Sequence, residues 1–215
     1  NHSIKDNYYS MGVTLSAGSS LAWAKNLFGE NLSYDALLKD INQIEPGSEG
    51  LFFTPYIMGE RTPYTDSKIR GSFIGIDAMH GKNHFLRSVI EGITFSLNDS
   101  KKIMESVGKD IKSIVSVGGG SKNKDWLQIQ ADIFGVPVTT LSIEEGPAQG
   151  AAMMVGIGLG LYELDECINK FVEYNEFVYP IAKNVVKYAN LYKIYNKIYD
   201  ATKYLSYDIS KLKEE

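Results

Sequence analysis

Cysteine is almost absent from this sequence of 215 residues, which contains only Cys167. A single cysteine excludes an internal disulfide and a cysteine metal cluster, and it favours a reduced, cytoplasmic setting. Histidine is also scarce, at His2, His80 and His84. His80 and His84 could share a helix face as metal ligands, but Gly81 between them indicates a loop. We therefore predict no metal site in this chain.

Long apolar runs and an excess of positive charge are missing too. No apolar run approaches the roughly 18 residues of a membrane-spanning helix, and no signal peptide opens the chain, so we expect no membrane association. The chain has 22 Lys and Arg against 26 Asp and Glu, a formal net charge of -4. This balance argues against nucleic acid as a partner. The hydrophobic content of 44% is enough for a full core.

A glycine-rich stretch near the middle of the chain carries the clearest pattern. Residues 111–117 are a β-branched, apolar run that predicts a buried strand, and Gly118, Gly119 and Gly120 follow it. Residues 123–134 then change to helical spacing. The apolar stripe of that helix includes Trp126, Ile129 and Ile133. We predict a strand, a glycine turn and a helix in direct succession.

Such a turn has two interpretations. Three glycines carry no Cβ, so the backbone can approach a bulky ligand and its N–H groups can point outward together. The start of a helix also favours an anion, of which phosphate is the commonest in biology. The alternative is a tight strand-to-helix turn without a ligand, because short glycine motifs often occur by chance.

Small residues also begin two other predicted helices. In residues 16–23, Ser19 or Ser20 could cap a helix, and Gly18 leaves room for close approach. Pro147 follows Glu144, Glu145 and Gly146 and fits a first helical turn before small residues. As bare patterns, both starts are more often packing devices than ligand contacts.

The rest of the chain alternates between strand and helix patterns, which predicts an α/β fold. Strands are predicted at 8–15, 51–53, 71–76 and 136–141, and helices at 33–41 with Ser33 as cap, at 83–107 and at 184–204. Tyrosines at helical spacing in the last helix indicate a docking face. We expect one domain over residues 1–205 and a frayed, charged tail over 206–215.

The proline-rich segment 54–64 can be neither regular helix nor central strand. Within it, Glu60 next to Arg61 could present charge to a phosphate, or the pair could fasten the loop to its neighbours. We favour the structural interpretation.

Several of these segments together resemble a known family. Residues 71–76 (Gly-Ser-Phe-Ile-Gly-Ile) and 84–91 (His-Phe-Leu-Arg-Ser-Val-Ile-Glu) are similar, position by position, to the second signature of the FGGY carbohydrate kinases. Further segments are similar in order and spacing to the xylulose-kinase branch of that family. These segments are residues 55–56, 59–63, 118–120, 130–133 and 146–152.

The resemblance implies a ribonuclease-H-like, actin-type ATPase domain, with a mixed sheet flanked by helices. It would be the second of two domains and would close over a sugar held mainly by the first. Full-length members transfer the γ-phosphoryl group of ATP, with Mg²⁺, to a sugar hydroxyl. In the xylulose-kinase branch, the product is xylulose 5-phosphate.

The resemblance also implies roles for individual residues. Gly119 and Gly120 would hold the phosphates and ribose of ATP, and Asn123 would lie near the adenine. Gly18 and Ala22 would line the other wall of the nucleotide cleft. Some relatives have a polar side chain where this sequence has Ala22, so only backbone or van der Waals contact is expected there.

The family's aspartate general base, its first phosphate loop and its metal-binding acid are expected upstream of this chain. We therefore assign no catalytic residue and no metal ligand here, and we expect the chain alone to bind ATP weakly and to be nearly inactive. Apolar surface exposed by separation from the first domain would favour a homodimer.

Three alternatives remain. The sugar could be gluconate, ribulose, glycerol or fuculose, because the selecting pocket would lie mostly in the other domain. The chain could also belong to a non-catalytic, actin-like sugar-sensing module. A dinucleotide-binding dehydrogenase is disfavoured, because Asn123 replaces the third glycine of its motif and the strand at 136–141 lacks a terminal acid.

Overall fold

A computed structural model describes residues 2, 4, 6–143 and 146–212 and confirms the predicted α/β class. The helices are α1 (Ala17–Gly29), α2 (Tyr34–Leu38), α3 (Lys82–Ser106), α4 (Lys124–Phe134), α5 (Gly146–Gly158), α6 (Leu164–Phe171) and α7 (Ala182–Leu212). The strands are β1 (Phe52–Thr54), β2 (Ser72–Ile74), β3 (Ile114–Val115) and β4 (Val138–Thr139). Short 3₁₀ turns cover Ile41–Gln43, Ser48–Gly50 and Gly119–Lys122. None of the described helices is both long and apolar enough to span a membrane.

The strands form two short sheets. β1 and β2 are antiparallel, with Phe52 opposite Ile74, whereas β3 and β4 are parallel, with Ile114 opposite Val138. Val138 also forms an antiparallel bridge with Val178. The second sheet therefore mixes parallel and antiparallel pairing, as the resemblance implies.

Helix α3 forms the centre of the core. Its residues Leu86, Val89, Ile90 and Ile93 have no exposed surface. A Cβ atom at Gly92 would overlap the carbonyl oxygen of Phe53 in β1. The glycine thus allows the backbones of α3 and β1 to touch without an intervening side chain.

A buried ion pair within α3 connects this helix to distant parts of the chain. Arg87 and Glu91 are only 5% and 3% exposed, and Arg87 Nε lies 2.8 Å from Glu91 Oε1. Arg87 also donates to the carbonyl oxygen of Ile41 at 2.9 Å and to the hydroxyl of Tyr188 at 3.0 Å. Burial alone would lower the pKa of Arg87, but the adjacent Glu91 carboxylate raises it above its ordinary value.

Glu91 completes this network from the other side. Its Oε1 accepts hydrogen bonds from Gly47 N at 2.9 Å and from Tyr188 Oη at 2.7 Å, and its Oε2 accepts one from Ser48 Oγ at 3.0 Å. The pair therefore fastens the loop before β1 and helix α7 to the central helix.

The tyrosine stripe of α7 is a docking face, as predicted. Tyr188 and Tyr195 are each 1% exposed. Other hydroxyls of the stripe bond to separate elements: Tyr195 with Tyr56 at 3.4 Å, Tyr192 with Asp99, and Tyr199 with Asp66 at 3.0 Å. Tyr188 and Tyr195 are thus buried in the core and Tyr192 and Tyr199 are half-buried, while each hydroxyl keeps a partner.

The predicted strand at 8–15 is wrong, because the segment pairs with no strand and its backbone bonds to the proline-rich loop instead. Val13 N donates to Thr62 Oγ1 and the carbonyl oxygen of Val13 accepts a hydrogen bond from Thr62 N, both at 3.0 Å.

Glu60, which is 2% exposed, accepts hydrogen bonds from Leu15 N at 3.1 Å and from Arg61 N at 2.7 Å. Glu60 therefore fastens the proline-rich loop to the start of the chain. It does so through these backbone N–H groups and the Thr14 hydroxyl, which donates to Glu60 Oε2 at 3.2 Å, and not through the Arg61 guanidinium.

The predicted cap of α1 is wrong, and the predicted cap of α2 is correct. Helix α1 begins at Ala17, and its cap is Ser16 rather than Ser19 or Ser20. The Ser20 hydroxyl donates instead to the carbonyl oxygen of Ser16. Ser33 caps α2 as predicted, although that helix is shorter than expected.

The fraying predicted from residue 206 onward stays a prediction, and helix α7 continues to Leu212. Ser206 is 6% exposed and accepts a hydrogen bond from Arg70 N at 3.3 Å. Residues 213–215, like Glu144 and Glu145, lie outside the described residues.

Asp99 is the second buried carboxyl group of α3 after Glu91, but it lacks a cationic partner among the described residues. It is 5% exposed, its Oδ1 accepts a hydrogen bond from Tyr192 Oη, and its buried Oδ2 has no hydrogen-bond partner in the described part of the chain. Burial raises the pKa of Asp99 to about 7, against the hydrogen bond from Tyr192, and nearby Glu60 raises it further. Folding therefore favours the protonated carboxyl group.

We expect Glu91→Ala to lower the free energy of unfolding by about 3–5 kcal/mol, because it leaves the Arg87 guanidinium buried without its counter-ion. Urea denaturation checks this. The matched control is Asp208→Ala, which removes an exposed pair with Lys211 and should change stability by at most about 0.5 kcal/mol. Equal effects of the two substitutions would contradict the prediction.

Asp99→Asn should change how stability depends on pH. Because the pKa of Asp99 is raised in the folded protein, the folded state binds more protons than the unfolded state between about pH 4 and pH 7. This group therefore reduces stability as pH rises through that window, by at most about 1.4 kcal/mol per unit of pKa displacement. The difference in unfolding free energy between variant and wild type should grow in favour of the variant up to pH 7. A difference that is independent of pH would refute this expectation.

Candidate functional site

A cleft of about 580 Å³ lies between the glycine turn and the first two helices. Its volume is within the range of small-molecule sites. The lining residues are Gly18 and Leu21 from α1, Tyr34, Asp35 and Leu38 from α2, and Gly118, Gly119, Gly120, Lys122, Asn123 and Trp126 from the turn and α4. The structure thus brings together two glycine segments that are about 100 residues apart in the chain.

The order of strand, glycine turn and helix is confirmed, but the strand is limited to β3 and its predicted burial is wrong, since Val115 is 40% exposed. The turn closes on itself, because Ser121 N and Ser121 Oγ both donate to the carbonyl oxygen of Gly118, at 3.1 and 2.7 Å. Asn123 then caps α4 by accepting a hydrogen bond from Trp126 N at 2.8 Å. These local bonds fix the turn at the mouth of the helix.

The three consecutive glycines serve three different purposes. Gly118 has φ = +83°, a conformation that side chains with a Cβ rarely adopt. A Cβ at Gly120 would lie 2.8 Å from the Trp126 ring, so this glycine makes room for the indole. A Cβ at Gly119 would meet open space. A Cβ at Gly118 would meet open space as well, so Gly118 and Gly119 both leave bare backbone, and Gly119 does so without a left-handed φ.

Trp126 forms a fixed part of the cleft. It is 5% exposed, and its Nε1 donates to Thr94 Oγ1 in α3 at 3.0 Å. The indole is therefore held by the core and does not depend on a ligand for its position.

The opposite wall differs from the expectation in one residue. Gly18 lines the cleft, and a Cβ there would also meet open space. Ala22 is half-buried and is not among the lining residues, whereas Leu21 is. The sequence did not predict the contribution of α2 (Tyr34, Asp35 and Leu38), because only a serine cap marks this helix and nothing in its pattern indicates a ligand.

The two ends of the cleft have different chemistry. The turn end offers bare backbone, which suits an anion, and Lys122 lines the same end. The end formed by α1 and α2 is apolar apart from Asp35, and it includes the half-exposed ring of Tyr34. An aromatic or apolar surface of this kind suits a planar ring.

His80 and His84 are not arranged as metal ligands. The rings of His80 and His84 lie 5.2 Å apart, and their Nδ1 atoms accept hydrogen bonds from Asp77 N and Gly81 N. In the neutral imidazoles the proton is then on Nε2, which cannot also bind a metal. The described residues contain no group of three or more His, Cys, Asp or Glu that could hold a metal ion.

Comparisons with known proteins agree with this geometry. The sequence model described as "FGGY family of carbohydrate kinases, C-terminal domain" matches residues 1–159. Xylulose kinase from Lactococcus lactis is 50% identical over 218 residues, which cover 100% of this chain and 44% of that protein.

Two solved structures from Lactobacillus acidophilus are similar to this fold. A ligand-bound xylulose kinase has a TM-score of 0.81 and 31% identity, covering 86% of this chain and 38% of its own. A gluconate kinase has a TM-score of 0.80 and 32% identity, with the same coverage of 86% and 38%. The expected actin-type ATPase fold is thereby confirmed.

The chain spans less than half the length of each of these relatives. The family match covers most of the chain and includes both glycine segments of the cleft. This chain belongs to the FGGY family of carbohydrate kinases.

Proposed function

We propose that this chain is the C-terminal, nucleotide-binding half of an ATP-dependent sugar kinase that converts D-xylulose and ATP to D-xylulose 5-phosphate and ADP. The observation that carries the proposal is the cleft in which Gly18 faces the turn of Gly118, Gly119 and Gly120. The 50% identity with a xylulose kinase supports the choice of sugar.

In this proposal, the cleft positions ATP for transfer. The phosphates lie over the bare backbone of Gly119, and the ribose lies close to Gly120. The Asn123 oxygen already accepts a hydrogen bond from Trp126 N, so its Nδ2 is the group that would face the adenine. Phosphoryl transfer depends mainly on positioning and charge stabilisation, which is what a rigid turn provides.

The remaining groups are proposed to lie outside this chain. They are the aspartate general base, most of the sugar pocket and the protein ligands of Mg²⁺. Mg²⁺ bound with ATP would neutralise developing charge on the phosphates. A cytoplasmic location follows as a proposal from the use of ATP and from the single cysteine.

A kinase for another sugar is the second candidate, and one observation favours it. The gluconate kinase is as similar in fold and sequence as the ligand-bound xylulose kinase is. A panel of xylulose, gluconate, ribulose, glycerol and fuculose, assayed with the full-length kinase, decides between them. Failure with every sugar would favour the non-catalytic, sugar-sensing alternative.

A homodimer is a further proposal, based on the end of α7. Leu205, Ile209 and Leu212 share one helix face and are 63%, 51% and 72% exposed. Apolar side chains that recur at helical spacing suit contact with a second helix. The mass from light scattering distinguishes a monomer from a dimer.

The chain by itself should bind ATP·Mg²⁺ weakly and should not phosphorylate xylulose, because the proposed base and the second wall of the site lie elsewhere. Calorimetric titration and a coupled ADP-release assay measure the two properties. Micromolar affinity together with xylulose phosphorylation by the pure chain would refute the half-enzyme proposal.

Gly119→Ala and Gly120→Ala should separate ligand binding from packing. The first adds a methyl group to open cleft and should weaken ATP binding about tenfold, equivalent to about 1.4 kcal/mol, with no loss of stability. The second forces a Cβ against Trp126 and should cost about 1–3 kcal/mol of stability. NMR titration and thermal unfolding give the two readouts. Unchanged ATP affinity in Gly119→Ala would count against a phosphate site at this turn.

A further inference from the structure

The α2 wall of the cleft contains a carboxylate that the proposed phosphate site does not use. Asp35 lines the cleft together with Tyr34 and Leu38. Among the described residues, no hydrogen bond or ion pair involves the exposed Asp35 side chain, whereas Asp125 in the first turn of α4 accepts a hydrogen bond from Asn42 Nδ2 at 3.4 Å. Asp35 is therefore available to a ligand in the cleft.

A carboxylate at this position restricts how a nucleotide can lie. Ionised Asp35 only accepts hydrogen bonds, and its charge repels phosphates. Lys122 and the glycine turn, in contrast, line the part of the cleft that suits anions. The charge distribution thus directs the triphosphate toward the turn and the base toward α2.

The surroundings of Asp35 suit a purine ring. Leu21 and Leu38 are 7% and 1% exposed and form an apolar floor, while Tyr34 is 47% exposed and presents an aromatic ring. Lys25 Nζ lies 5.8 Å from the centroid of that ring and helps to hold it. A flat base packed on this wall would turn one edge toward Asp35.

We infer that Asp35 selects adenine by accepting a hydrogen bond from its exocyclic 6-amino group, with Tyr34 and Leu38 packing against the ring. This inference rests on the proposed function, since it requires a nucleotide in the cleft. A base with an oxo group at position 6, such as hypoxanthine, places an acceptor against the carboxylate and is rejected. Asp35 is then a specificity-determining residue and takes no part in phosphoryl transfer.

The test compares three nucleotides by NMR titration of the isotope-labelled chain, a method suited to weak binding. Wild type should bind ATP·Mg²⁺ about tenfold more tightly than ITP·Mg²⁺, the effect of one hydrogen bond to a charged group. It should bind 2′-deoxyATP·Mg²⁺ within about twofold of ATP, since the ribose hydroxyl is not the group recognised. Asp35→Asn should bring ATP and ITP within about twofold of each other, because an amide both donates and accepts. Asp125→Asn is the matched control and should keep the wild-type ratio.

Each other outcome has a defined meaning. Equal binding of ATP and ITP by wild type, with both weakened in Gly119→Ala, overturns the role of Asp35 and leaves the proposed function standing. Discrimination against 2′-deoxyATP that disappears in Asp35→Asn assigns the carboxylate to the ribose and overturns the base assignment. Absence of binding by all three nucleotides overturns both the inference and the proposed nucleotide site.

Discussion

The buried pair of Arg87 and Glu91 is the constraint on which the rest of the structure depends. Two charges inside a core are tolerated only when their remaining donors and acceptors find partners. Here the partners come from the turn at Ile41, from the loop before β1 and from Tyr188 of α7. The Ile41 turn directly follows α2, so the same pair places the wall of the cleft. Arg87 and Glu91 belong to the signature at residues 84–91. These residues do not line the cleft, and they affect it by holding α2 in place.

Local sequence patterns correctly predicted those elements that are formed by interactions between residues close in sequence. Helix α4 and the Ser33 cap follow from apolar spacing and from side chains that bond within a few residues. The supposed strand at 8–15 failed because its backbone groups bond to Glu60 and Thr62 of the proline-rich loop, 45 and 49 residues away along the chain, and not to a neighbouring strand. Alternation of apolar residues cannot distinguish these two kinds of partner.

The candidate site was predictable in part for the same reason. The glycine turn was found because its strand, turn and helix are continuous in sequence. The contribution of α2 was not, because Tyr34 and Asp35 reach the cleft only through the packing of α2 against α1 and the anchoring of the Ile41 turn. Even within the turn, sequence alone treats three glycines alike, while the fold gives them separate roles in conformation, ligand approach and packing.

The contact between Gly92 and the Phe53 carbonyl group limits how α3 and β1 can move relative to each other. Side chains between two elements normally change rotamer and absorb small displacements. Here no side chain lies between the backbones of α3 and β1 at Gly92. The central helix and the first strand must therefore translate and rotate as one rigid body. Any opening or closing of the nucleotide cleft has to be accommodated outside the contact between α3 and β1.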